Sequence, residues 1–163
     1  EPFIARAQIT GSGIAVLTRT SNPGSADFQT LKADGQPVYA HVAKALASPI
    51  RRLMGESGWS GCMLVAGATG PEEARALRAL APQALFLVPG YGSQGAGAKE
   101  AVAGFVPGPN GLEGGLVNAS RSVTFASGAV HAQNAMDWDL AIIEAIETAQ
   151  WDLMRACATG RTQ

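Results

Sequence analysis

The stretch Phe86-Leu87-Val88-Pro89-Gly90-Tyr91-Gly92-Ser93-Gln94-Gly95-Ala96-Gly97 runs from an apolar, strand-forming segment straight into a glycine-rich loop. Glycine lets a backbone approach an oxyanion without Cβ obstruction, and N–H groups in such a loop can surround the anion. Gln94 adds two side-chain donors. Downstream, Leu116-Val117-Asn118-Ala119-Ser120-Arg121 repeats the sequence of apolar run and polar end. Its Arg121 carries a guanidinium suited to a bidentate, charge-assisted contact. Two consecutive strand ends that converge on one anion are the arrangement of the loops after the seventh and eighth strands of many (β/α)8 barrels. A flexible glycine-rich connection and a solvated arginine have the same spacing, so the rest of the chain must decide between them.

Outward from this stretch, apolar strands alternate with helical spacing. Residues 13–19 form a β-rich run that stops at Ser21-Asn22-Pro23-Gly24, four turn formers that are bland alone but sit at a strand end. From Pro37, the positions Val38, Val42, Ala45 and Leu46 follow a helix, which Ser48-Pro49 interrupts or restarts before Ile50 and Leu53. Residues 62–66 are a second buried strand, and Thr69-Gly70-Pro71-Glu72 reads as a capping box in which Thr69 starts a helix carrying Ala74, Leu77 and Leu80. A third strand spans 84–88, a short helix 99–105 and a fourth strand 115–117. A long helix from about Asp137 to Ala156 puts Trp138, Ile142, Ile146, Ala149 and Leu153 on one stripe. Continuous apolar strands separated by helices predict an α/β fold with a parallel sheet covered on its helix side, and ligands bind such sheets beyond the C-terminal ends of the strands.

Composition narrows the function. The chain has 163 residues, 47% of them apolar, which suits one domain with a real core. A formal charge of -1 provides no basic footprint for nucleic acid or an anionic membrane. Charged residues are only 15%, against about a quarter in ordinary soluble domains, so more surface than usual is expected to be covered by a partner. Cys62 and Cys157 form no disulfide framework and have no metal-ligand spacing with His41 or His131, which fits a reducing cytoplasm. No segment reaches the roughly 18 uninterrupted apolar residues of a membrane span. Both histidines are expected to be structural or exposed, and Asp137 and Asp139 to serve a helix start. The first residues, Glu1-Pro2-Phe3-Ile4-Ala5-Arg6-Ala7, read like the opening turns of a helix, so the chain is expected to begin inside a longer architecture, whether by a proteolytic nick or by division of the protein.

Four motifs together are more specific than any one. Residues 17–27 (Leu-Thr-Arg-Thr-Ser-Asn-Pro-Gly-Ser-Ala-Asp), then Gly67-Ala68-Thr69-Gly70-Pro71-Glu72, then residues 88–95 (Val-Pro-Gly-Tyr-Gly-Ser-Gln-Gly), then Val117-Asn118-Ala119-Ser120-Arg121 stand in this order. The combination resembles orotidine 5′-phosphate decarboxylase, and its longer bacterial type in particular. The resemblance implies that Ser21 hydrogen-bonds the pyrimidine edge, that Pro89 and Gly90 line the base, and that Gln94, Gly95 and Arg121 grip the phosphate, with Asn118 beside Arg121. It also implies a cytoplasmic homodimer that uses no metal or organic cofactor and turns orotidine 5′-phosphate into UMP and CO2. In the family a lysine ammonium stabilises and protonates the carbanion-like carbon left by decarboxylation, while aspartates act against the departing carboxylate.

Those catalytic groups belong to an Asp-x-Lys-x-x-Asp motif after the third barrel strand, and no such motif occurs in this sequence. By resemblance, residues 1–163 therefore correspond to the C-terminal half of a (β/α)8 TIM barrel, strands five to eight preceded by the tail of helix four, as a single partial domain. A missing N-terminal half is the expected partner, and no catalytic residue is expected in this chain. Another phosphate-binding barrel enzyme and a non-catalytic fragment that needs a complementing half are the alternative readings.

Overall fold

The strand-forming runs are each closed by glycine, proline or small polar residues before a helical segment starts, and the chain alternates accordingly. The computed structural model describes residues 1–159. In chain order come α1 (Pro2–Thr10), β1 (Ile14–Arg19), α2 (Ala26–Gln29), a small ribbon of β2 (Lys32–Ala33) and β3 (Gln36–Pro37), α3 (Val38–Ala45), α4 (Ala47–Arg52), β4 (Ser60–Ala66) and α5 (Pro71–Leu80). Then follow β5 (Ala84–Val88), α6 (Ala98–Ala101), a second ribbon of β6 (Val106–Gly108) and β7 (Gly111–Glu113), β8 (Gly115–Val117), α7 (Arg121–Thr124), α8 (Ser127–Val130) and α9 (Ala135–Thr159).

Four strands make one sheet in the order β1-β4-β5-β8, every pair parallel. One row across it is Val16, Leu64, Phe86 and Gly115, fixed by their register. Side chains alternate between faces along a strand. Cys62, Leu64 and Ala66 of β4 and Ala84, Phe86 and Val88 of β5 join Ala43, Ile50, Leu77 and Ala101 from the helices in the core. Fully burying side chains such as Phe86, Leu64 and Leu77 stabilises the fold by roughly 1.5–3 kcal/mol each. The other face bears Leu17 and Leu116, 69% and 56% exposed. This is the parallel half-barrel arc read from the sequence, with helices outside and an apolar inner layer that meets no opposing strand among the described residues.

Burial also organises one cation. Arg78 on α5 is 8% exposed, and its guanidinium donates to the carbonyls of Gly104 (2.7 Å), Ala84 (2.7 Å), Pro82 (3.0 Å) and Gly114 (2.8 Å). It lies 3.9 Å from the Phe86 ring centroid. One side chain thus ties α5, the start of β5 and the approach to β8.

Three local expectations change. Thr69 does not cap α5. Gly70 occupies the N-cap without a side-chain bond, Pro71 takes the first helical position, and the Thr69 hydroxyl points to the Ser21 carbonyl at 3.4 Å. The helix expected at 99–105 ends at Ala101, after which the chain turns through Gly104 into the β6–β7 ribbon, whose tip contains Gly108-Pro109-Asn110-Gly111. In α9 the packed side is set by Ala141, Ile142, Ala145, Ala149 and Leu153, whereas Trp138 and Ile146 are 43% and 39% exposed. Small residues won that face because α7, α8 and α6 approach it closely.

Candidate functional site

The candidate binding residues read from the sequence all lie beyond the C-terminal ends of the four parallel strands. Ser21 follows β1, Thr69 follows β4, Pro89 to Gly97 follow β5, and Asn118 to Arg121 follow β8. The strand ladder extends into these loops. Gly67 N–H donates to the Arg19 carbonyl (2.7 Å), Ala68 N–H to the Pro89 carbonyl (2.8 Å) and Asn118 N–H to the Val88 carbonyl (2.9 Å). These bonds hold the four loop roots at sheet spacing.

Ser21, Gly90 and Gln94 meet. Gly90 has φ +98°, and a Cβ there would fall 2.7 Å from Ser21 Cβ and 2.9 Å from Gln94 Oε1. No other residue fits, because the conformation is left-handed and the space is already taken. Gly67 is constrained by space alone, since its Cβ would lie 2.7 Å from Ser21 N. The first loop is therefore wedged between the second and the third, with the Ser21 hydroxyl and Gln94 Oε1 lying 3.0 and 2.9 Å from the same point beside Gly90.

The glycine-rich loop is partly closed on itself. Gly92 N–H donates to the Ala96 carbonyl and Gly95 N–H to the Gly92 carbonyl, both at 2.9 Å, and Gly97 N–H donates to Glu100 Oε2 at 3.1 Å. Those amides are engaged within the loop, so what Gly95 offers a ligand is a surface without a side chain. Tyr91 turns away and donates its hydroxyl to Asp152 Oδ2 on α9 at 2.9 Å. Burial first, and then Asp152, push the Tyr91 phenol up to about 12.

Arg121 opens α7, is exposed, and makes no side-chain hydrogen bond among the described residues. Its neighbour Ser122 lies 3.1 Å from the Cβ position of Gly92, which puts the start of α7 against the loop. Asn118 Oδ1 accepts from Ser120 Oγ at 3.3 Å. The arrangement offers an exposed guanidinium, a carboxamide and a hydroxyl along one rim, a set suited to an anionic, hydrogen-bonding ligand.

Sequence reasoning passed over the supports of this rim. The Arg19 guanidinium reaches the Thr20 carbonyl, Ser25, Gln29 and Glu73, and Asp152 holds Tyr91 from another element. A charged residue ending an apolar strand was the available signal for Arg19. His41 bonds the Ala33 carbonyl at 2.7 Å, and Asp137 exchanges bonds with Asn134 at the start of α9, as structural roles require. No metal-binding cluster of His, Cys, Asp or Glu occurs among the described residues, and no described helix is long and apolar enough to cross a membrane.

No family model matches the chain. Curated relatives do. It is 43% identical over 132 residues to the orotidine 5′-phosphate decarboxylase of Halorubrum lacusprofundi, an alignment that covers 77% of this chain and 43% of the relative. The chain is a homologue of the orotidine 5′-phosphate decarboxylases. A decarboxylase of the same name from Clostridium novyi is 38% identical over 127 residues, with the same shares covered. The chain thus spans about two fifths of the length of these relatives. The OMP decarboxylase structure from Leishmania donovani superposes with a TM-score of 0.61 at 29% identity, covering 93% of this homologue and 51% of that chain. Partial coverage of a solved decarboxylase agrees with a sheet of four strands where a complete barrel has eight.

Proposed function

We propose that this chain supplies the phosphate- and pyrimidine-binding half of an orotidine 5′-phosphate decarboxylase, the enzyme that forms UMP and CO2 in pyrimidine biosynthesis. The observation that carries the reading is the meeting of Ser21 and Gln94 over Gly90, in a sequence homologous to decarboxylases. In this reading Ser21 hydrogen-bonds the pyrimidine edge, and Pro89 with the Gly90 backbone lines the base. Gln94, Gly95 and Arg121 hold the phosphate, with Asn118 beside them.

Residues 1–163 then form one partial domain, and an N-terminal half completes the barrel and brings the lysine and aspartates. The whole protein is a cytoplasmic homodimer, a setting in which the free thiols Cys62 and Cys157 stay reduced. This half contributes binding energy at the phosphate and ribose end. Such energy lowers a barrier at a distant carbon when it is realised more fully in the transition state than in the ground state.

The test is turnover of orotidine 5′-phosphate, followed by the loss of its ultraviolet absorbance. This chain joined to its N-terminal half is expected to be active, and this chain alone inactive. Arg121→Ala in the active protein is expected to lower kcat/KM by about 2–4 kcal/mol of charge-assisted contact. No turnover by the joined protein overturns the reading, and an unchanged kcat/KM removes Arg121 from the site.

A further inference from the structure

We propose that Arg19 is a positioning residue that holds the Ser21 turn at the pyrimidine edge of the site, an inference that rests on the decarboxylase reading. Its side chain is 11% exposed and grips the turn from both flanks. Nη1 donates to the Thr20 carbonyl (2.8 Å), just before Ser21, and to Ser25 Oγ (2.5 Å), just after Gly24. Nε and Nη2 donate to Glu73 Oε1 at 3.4 and 3.3 Å. Gln29 completes the back of the turn by accepting from Thr20 N–H at 2.9 Å and donating to Thr20 Oγ1 at 3.0 Å.

The backbone is shaped for this contact. The register of β1 against β4 shifts between Leu17 and Arg19. In a regular strand Arg19 would share the face of Leu17, which is the inner side of the arc. The shift re-aims it toward Glu73, in the first turn of α5. Arg19 therefore couples two adjacent strand-end loops behind the site. In front of them, the same turn presents Ser21 to Gly90 and Gln94. A rigid fork with several donors can fix both flanks together, and a lysine on its flexible stem cannot.

Two ligands separate this role from general stabilisation. UMP has the pyrimidine, while ribose 5-phosphate has the same sugar and phosphate without it. Calorimetric titration of the intact protein is expected to find UMP binding weakened on the order of 10- to 100-fold in Arg19→Ala, and to a lesser extent in Arg19→Lys. Ribose 5-phosphate affinity is expected to stay at the wild-type value in both. Arg19→Ala is further expected to add little to the UMP loss of Ser21→Ala, because both act through one contact. Arg19→Lys keeps the charge and supplies the comparison if the alanine variant does not fold. Wild-type UMP affinity in the variants, or equal weakening of both ligands, overturns the positioning role alone. A wild-type protein that binds neither ligand and does not turn over orotidine 5′-phosphate overturns it together with the decarboxylase reading.

Discussion

Tyr91 illustrates what one side chain can do for a glycine-rich loop. Between this loop and α9 lies a cleft of about 390 Å³, lined among others by Gly92, Ala96, Gly97, Ala145 and Ala149. These small side chains give little packing across it, and the Tyr91–Asp152 hydrogen bond spans the gap. Tyr91→Phe removes the bond and keeps the ring. Its expected cost is about 1 kcal/mol of stability, together with a raised KM for the proposed phosphorylated substrate in the intact protein as the loop loses its tether. The folded state favours the neutral phenol, whose pKa stands at about 12. Its contribution is therefore complete below the ordinary tyrosine value of about 10 and disappears as pH rises from there through the folded value. Denaturant midpoints of wild type and Tyr91→Phe should differ at neutral pH and draw together at the alkaline end. Equal midpoints at neutral pH would remove the tether. The sequence displayed the loop's glycines and Gln94 plainly, because their meaning is local. Asp152 lies far along the chain from Tyr91, and nothing local to either residue marks the pair.

Among the elements, α5 and β5 depend on a buried cation, Arg78, that makes no ion pair among the described residues. Carbonyl dipoles at Gly104, Pro82, Ala84 and Gly114 offset the desolvation of Arg78, and the faces of Phe86 and Trp59 add to this. Burial lowers its pKa to about 10, so the group is charged at neutral pH. Arg78→Met removes the guanidinium donor from the buried carbonyls of Gly104 and Ala84, while the Gly114 carbonyl keeps the Phe86 N–H, and the expected loss is roughly 3 kcal/mol. Arg78→Lys should fall in between, since an ammonium cannot reproduce the planar fork. Urea midpoints measure both, and a methionine variant as stable as wild type would show that the clamp carries no net stability. The four main strands were legible in the sequence because uninterrupted apolar runs such as 84–88 have few other uses, and turn formers end them sharply. The β6–β7 ribbon was not, since its proline- and glycine-rich tip reads as a plain loop until the antiparallel pairing Val106↔Glu113 is seen. Helical spacing places Ile142, Ala149 and Leu153 on the packed side of α9, as the structure has them, but puts Trp138 and Ile146 there too. Those two are exposed, because the close approach of short helices selects Ala141 and Ala145 instead.

At the scale of the molecule, the arc leaves apolar surface uncovered on two sides. Leu17 and Leu116 stand on the inner face of the sheet, and β1 and β8 are its edges. On the outer side of α9, Met136, Leu140, Ile143, Trp151 and Met154 are each at least half exposed, and their spacing puts them along one stripe opposite Ala145 and Ala149. Free strand edges template further pairing, and contiguous apolar patches drive association. The chain on its own is therefore expected to self-associate and to bind a hydrophobic dye, and both signals should fall when the proposed N-terminal half is supplied. The two surfaces make separable contributions. Leu17→Lys with Leu116→Lys charges the inner face without touching α9, and Leu140→Glu with Met154→Glu does the converse. If closure of the barrel is what the arc lacks, the first pair should reduce self-association and also abolish complementation, whereas the second should reduce self-association and leave complementation intact. Sedimentation velocity reads the association, and recovery of decarboxylation reads the complementation. A wild-type chain that sediments as a monomer and binds no dye would mean that the inner apolar layer is shielded in solution.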